Sequence, residues 1–223
     1  MRIDIVTLFP EMFAPLNESI IKRAREKGII NINFTQLRDF AFDKHKQVDD
    51  TPFGGGSGMV LKPEPMFRAV RSILETSLPS SQRRILIMDP IGTKFTQDKA
   101  KSLATFKQLI FICGHYEGFD ERIYELADEA ISIGEYVLTG GELPAMVIID
   151  AVARMLPEVL GSEESAKTDS FYDGIAGYPQ YTKPRDFEGR LVPEILLSGN
   201  HAKIAQWRHE QSLIRSAEYV IKN

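Results

Sequence analysis

Short β-branched runs alternate with longer helical patterns from the first residues onward. Ile3 to Leu8 reads as a strand, Glu11 to Lys27 as a helix that stops at Gly28, and Ile29 to Phe34 as a second strand. A strand, a helix and a strand in immediate succession are the mark of a βαβ unit, and such units build parallel sheets. The rhythm continues with strands over Ile85 to Met88, Leu109 to Cys113 and Ala130 to Ile133, and with helical patterns around Gln97 to Thr105 and Asp120 to Ala127. The expected class is α/β with a parallel sheet.

Pro144 to Leu156 opens with a proline suited to a first helical turn and is apolar nearly all round. Such a helix must be covered on most sides, and a second subunit is one way to cover it. From Gly161 to Asp173 the composition turns to Ser, Glu, Lys, Thr and Asp, a polar stretch of about loop length that reads as a linker or lid. Beyond it, Ser198-Gly199-Asn200 starts a helix running from His201 to about Tyr219, made locally basic by Lys203, Arg208, His209 and Arg215. The expected division is a large domain over 1–160, a linker or lid over 161–175 and a small C-terminal domain over 176–223.

At 223 residues, 43% hydrophobic and 26% charged, the chain can bury a full core. A net charge of -4 leaves no global basic field, so any nucleic-acid contact has to rest on local patches. The single cysteine, Cys113, rules out a disulfide framework within one chain and fits a reducing cytoplasm. The start, Met1 to Val6, has no signal-peptide core, and no stretch approaches the ~18 apolar residues of a membrane span. The four histidines, His45, His115, His201 and His209, are too dispersed for a recognisable metal spacing, and no structural zinc is expected.

Glycine-bearing loops carry the candidate chemistry. Gly54-Gly55-Gly56-Ser57-Gly58 permits close backbone approach to a ligand, yet lacks the Gly-Lys-Ser/Thr of a phosphate loop and the spacing of a dinucleotide fingerprint. A flexible surface turn remains the alternative. The block from Cys113 to Arg122 follows a strand, so its glycines belong at the carboxyl edge of the sheet, where open α/β folds bind ligands. It can equally be a strand-to-helix turn started by Asp120 or Glu121. Ile131 to Pro144 is a second strand-end loop, with Gly134, Gly140 and Gly141 just before the apolar helix, and a purely structural tight crossing is the other reading of these glycines. Arg154 interrupts that helix four residues after Asp150, and either pairs with it or faces a site. Asp169, in the polar stretch, is by default an idle solvated carboxylate.

These motifs together resemble the bacterial tRNA (guanine-N1)-methyltransferase family, known as TrmD. The likeness runs over Leu8 to Phe13, Asp49 to Leu61, Cys113 to Arg122, Ile133 to Asp150, Asp169 to Phe171, Tyr181 to Pro184 and Leu196 to His201, in the family's order and across nearly the whole chain. The resemblance implies a SPOUT methyltransferase domain with a deep trefoil knot, a flexible linker and a small helical tRNA-binding domain, assembled as a homodimer that shares its active site. It implies S-adenosylmethionine as methyl donor, bound by Pro90, Gly114, Tyr116, Glu117, Gly118, Ile133, Gly134, Tyr136, Val137, Leu138, Gly140, Gly141 and Pro144. It also implies Asp169 as general base and Arg154 as the guanine-binding, charge-stabilising partner, acting on the guanine immediately 3′ of the anticodon of a tRNA in the cytoplasm. Family members are reported to need magnesium, for which the sequence shows no ligand cluster. His115 stands where many relatives carry Arg, Asp89-Pro90-Ile91-Gly92 departs from the common form, and many relatives continue past the equivalent of Asn223.

Three other readings stay open on the residues: a nicotinamide-dependent oxidoreductase, a non-catalytic protein that binds RNA or senses S-adenosylmethionine, and a knotted methyltransferase acting on another RNA position such as a ribose 2′-hydroxyl.

Overall fold

A computed structural model describes residues 1–161 and 166–222; residues 162–165, within the expected linker, lie outside the described residues. The chain divides into two compact units, Met1–Gly161 and Ser162–Asn223.

In the first unit β1 (Arg2–Thr7) leads to a 3-10 segment, Pro10–Asn17, and then to α1 (Ser19–Glu26). The single helix expected over Glu11 to Lys27 is therefore broken. Pro15 lies inside the first segment and removes a backbone N–H, and Ser19 turns the chain at φ 54°. After β2 (Asn31–Gln36) come a short antiparallel pair, β3 (Asp49–Asp50) and β4 (Val60–Leu61), and then α2 (Pro63–Leu74). This helix is absent from the expected elements, although its signal is present: a proline in the first turn and buried Met66, Ala69, Val70 and Ile73 at helical spacing.

The remaining elements are β5 (Arg83–Lys94), α3 (Gln97–Ala104), β6 (Gln108–Ile112), β7 (Glu129–Ser132) and α4 (Glu142–Ala153). Asp120 to Ala127, read as helical, is a 3-10 turn over Glu121–Leu126, the form favoured where a short connection leaves no room for longer helix. Five strands pair in the order β2-β1-β6-β5-β7, all parallel.

A side chain points to alternate faces along a strand, and both faces of this sheet are covered. Ile3, Ile5, Leu86, Met88, Leu109 and Phe111 pack with Phe13, Ile21, Leu103 and Ile148 on one face. Val6, Ile85, Ile87, Ile110 and Ile112 pack with Leu37, Met66, Val70 and Ile123 on the other. Near-continuous apolar strands are what such double burial demands. Cys113 is 1% exposed, and burial, with the nearby Glu142 carboxylate second, raises its thiol well above the ordinary range. We expect Cys113 to resist a disulfide reagent in the folded protein at about pH 8.5, where a free cysteine is half ionised, and to react fully in denaturant. Rapid labelling of the folded protein would contradict this burial.

The second unit holds the hairpin β8 (Asp186–Phe187) and β9 (Arg190–Leu191), a 3-10 turn over Glu194–Leu197, and α5 (His201–Lys222). Asn200 starts α5, its Oδ1 accepting from the Lys203 N–H at 3.1 Å. Residues 166–177 are not extended: the Phe171 N–H donates to the Ile175 carbonyl at 2.7 Å and the Gly177 N–H to Ser170 Oγ at 2.9 Å. The Phe171 ring also meets Tyr219 of α5, at 5.2 Å between centroids.

Candidate active site

Three loops leave the carboxyl edge of the sheet, where open parallel sheets present ligand sites. Two of them touch directly. His115, just past β6, bridges antiparallel to Gly140, and the Gly141 N–H donates to the Gly114 carbonyl at 2.9 Å. The approach is so close that a Cβ on Gly141 would lie 2.7 Å from Cys113 Cα and 2.8 Å from the Gly114 nitrogen. Only glycine allows the two loops to cross here.

The glycine block at 54–58 is exposed, but the strand after it holds the first loop in place. Glu117 N–H donates to the Met59 carbonyl at 2.9 Å, Leu61 N–H to Gly118 at 2.9 Å, and Asp120 N–H to Leu61 at 3.0 Å. Tyr116, at the loop apex, takes φ 61° and is half exposed. Asp120 closes the loop by capping the following 3-10 turn, accepting from the Arg122 N–H at 3.1 Å and from its guanidinium at 2.7 Å. That hydrogen bond to Arg122 holds the Asp120 carboxyl below the usual range.

The second loop, Ile133 to Gly141, folds on itself. Ser132 Oγ donates to the Gly134 carbonyl at 2.9 Å, and the Tyr136 hydroxyl reaches the Ile133 carbonyl at 3.3 Å. Tyr136, Val137 and Leu138 are exposed, whereas Pro144 is buried in the first turns of α4. The third loop, which contains Pro90, is a bulge within β5. Met88 and Thr93 both pair with Ile131, so residues 89–92 leave the sheet and return. Gly92 makes the return possible, because a Cβ there would lie 2.5 Å from the Ala130 carbonyl carbon.

Beneath the crossing lies a buried polar group for which the sequence alone suggests no role. Glu142, 1% exposed at the start of α4, accepts from the Thr7 hydroxyl at 2.6 Å, and Thr7 Oγ1 also accepts from the Phe9 N–H at 2.9 Å. The other oxygen, Glu142 Oε2, and His115 Nδ1 are buried with no hydrogen-bond partner among the described residues. An acidic residue opening an otherwise apolar helix is the signal that could have found it.

Arg154 is half-buried at the C-cap of α4. Since α4 spans 12 residues, Arg154 stands about 18 Å along the helix from the loop crossing of its own chain. Asp169 belongs to the second unit, where it is exposed and its backbone carbonyl accepts from the Tyr172 N–H at 3.3 Å. The basic character of α5 is partly committed within that unit: Arg208 stacks on Tyr178 at 4.8 Å and Arg215 donates to the Gly177 carbonyl at 3.3 Å. Among the described residues no three His, Cys, Asp or Glu gather as a metal ion would need.

The family model for tRNA (Guanine-1)-methyltransferase TrmD matches residues 1–221. The chain belongs to this family. Its TrmD relatives include proteins named tRNA (guanine-N(1)-)-methyltransferase from Staphylococcus carnosus, 58% identical over 97% of this chain and 87% of the relative, and from Leuconostoc mesenteroides, 55% identical over 97% and 88%. A third, from Carboxydothermus hydrogenoformans, carries the same name and is 56% identical over 97% of this chain and 84% of its own length. No described helix of this TrmD chain is long and apolar enough to cross a membrane.

Proposed function

We propose that this chain is a tRNA (guanine-N1)-methyltransferase, which moves a methyl group from S-adenosylmethionine to N1 of the guanine immediately 3′ of the anticodon. The observation that carries the reading is the crossing of the 114–118 and 133–141 loops beside the 89–92 bulge, which brings the Cys113 to Arg122 and Ile133 to Asp150 blocks together at the carboxyl edge of the sheet. The residues fit a flat, polar donor: close-packed glycine backbone leaves N–H and C=O groups to read adenine and ribose, and buried Glu142 Oε2 and His115 Nδ1 below have no hydrogen-bond partner among the described residues. The donor set is Pro90, Gly114, Tyr116, Glu117, Gly118, Ile133, Gly134, Tyr136, Val137, Leu138, Gly140, Gly141 and Pro144.

When bound, S-adenosylmethionine supplies a methyl carbon on a sulfonium, whose carbon–sulfur electron pair departs with sulfur. The chain has to make guanine N1 a nucleophile, and N1 carries a proton at neutral pH. Asp169 accepts that proton as the N1 lone pair forms the bond to carbon, an assistance typically worth ~10²- to 10⁴-fold. Arg154 donates toward guanine O6, where negative charge gathers as the proton leaves. A base carried on a polar segment rather than on a strand meets the guanine only once tRNA is bound, which delays chemistry until substrate is present.

A homodimer belongs to this reading. Arg154 and the loop crossing of one chain are separated by the length of α4, while Leu143 and Val147 on that helix are 45% and 48% exposed. A second copy covering this face would bring its own Arg154 toward the donor loops. The trefoil knot, the 176–223 tRNA-binding domain, a cytoplasmic location and a magnesium requirement with no assigned site complete the proposal.

The test uses labelled donor and paired tRNA transcripts with G or A immediately 3′ of the anticodon, mapped by primer-extension arrest. Arrest at that base in the G transcript alone is the expected result. Methylation elsewhere would replace the assigned position, and donor binding without transfer to any RNA would replace the enzyme by a binding protein.

A further inference from the structure

Asp89 and Tyr124 lie outside the proposed donor set, yet they connect two of its loops. Asp89, half-buried at the start of the β5 bulge, uses both carboxylate oxygens. Oδ1 accepts from the Ile91 N–H at 2.9 Å, shaping the turn around Pro90, and Oδ2 accepts from the Tyr124 hydroxyl. Tyr124 in turn stands edge-on to Phe119, at 5.9 Å and 81°. The Phe119 ring lies over Gly114, and Phe119 bridges to Leu61 of β4. A continuous line of contacts therefore runs from the Pro90 turn through Asp89, Tyr124 and Phe119 to the 114–118 loop.

We infer that Asp89 and Tyr124 form a strut of positioning residues that fixes the gap between the 89–92 and 114–118 loops and so sets the affinity for the adenosyl donor. The inference rests on the donor-site reading above. Two features support a strut rather than a surface contact. The bulge is pinned at both ends, by Met88 and Thr93 on Ile131 and by Gly92 against the Ala130–Ile131 backbone, so the Asp89 side chain acts on the turn that projects between them. Burial first, then the hydrogen bond from the phenol to Asp89, pushes the Tyr124 phenol well above its ordinary value, so it remains a proton donor throughout the working pH range.

The two-unit chain, residues 1–223, is titrated calorimetrically with S-adenosylhomocysteine, which binds without reacting, alongside thermal melting and tRNA KM. Asp89→Ala is expected to weaken binding roughly tenfold, the scale of one hydrogen bond to a charged group. Tyr124→Phe, which keeps the ring on Phe119 and removes only one of the two hydrogen bonds that Asp89 accepts, should weaken it less. Melting temperature and tRNA KM should stay near wild type, and Asp89→Asn, which keeps an acceptor for the Ile91 N–H, should restore most of the affinity. Because the two groups act through one contact, the double variant should bind no more weakly than Asp89→Ala alone. Wild-type binding with unchanged affinity in both single variants would overturn the strut, as would effects that multiply in the double variant. No binding by the wild type would instead overturn the donor-site reading itself.

Discussion

Asp169→Ala is expected to leave donor affinity near wild type while methyl transfer falls by about 10²- to 10⁴-fold, the usual contribution of a positioned general base. The separation of effects follows from the architecture. Asp169 belongs to a different compact unit from the loops proposed to bind the donor, so truncating it alters none of the backbone contacts at the crossing. Arg154→Ala should behave in the same way, with a loss of about 10²- to 10³-fold, the scale seen when one donor to a developing oxyanion is removed. The measurements are calorimetric donor binding and single-turnover transfer on a G-containing transcript. If either variant turns over within a few-fold of wild type, its assigned chemical role is wrong. If instead donor binding collapses together with transfer, the residue is holding the fold of the site.

The converse experiment is Gly141→Ala. The added methyl would meet Cys113 Cα at 2.7 Å and the Gly114 nitrogen at 2.8 Å, and both obstacles are backbone. No rotamer change relieves them, so the crossing must open and the 2.9 Å hydrogen bond from Gly141 to Gly114 must lengthen. Overpacking a close-packed site typically costs about 1–3 kcal/mol, and here the strain falls on the two loops that carry most of the proposed donor set. The expected result is a lower denaturation midpoint in urea together with loss of measurable donor binding. An alanine variant that melts and binds like wild type would show that the loops need not touch.

How much of this was legible in the sequence depended on whether a feature is local. The strands of the sheet could be read because parallel strands buried on both faces must be nearly uniform in apolar residues, as Leu109 to Cys113 is. The break at Pro15 was also readable in principle, since proline removes the N–H that a continuous helix needs. The bulge at 89–92 was not: it exists because Met88 and Thr93 meet the same residue of a strand some forty positions later. Asp89 with Tyr124, and Thr7 with Glu142, are likewise partnerships between distant segments that no spacing along the chain announces. The 114–118 and 133–141 loops could be read at the carboxyl edge because a strand precedes each one. The roles proposed for Asp169 and Arg154 rest on the family resemblance, because an exposed carboxylate in a polar segment looks like any other.

The backbone-on-backbone packing at Gly141 and Gly92 bears on how this enzyme can drift under selection. A clash with a side chain can be relieved by a second mutation that trims the neighbour, but a clash with Cys113 Cα or the Ala130 carbonyl carbon cannot, since every amino acid has those atoms. Those two positions are closed to compensatory change. Ile91 and Val137, 89% and 84% exposed in neighbouring loops, are under no such restriction from the packing of the chain. Escape from an inhibitor bound among these loops should therefore first appear at the two exposed aliphatic positions, and an inhibitor that presses only on the glycine backbone would leave the protein few routes to resistance.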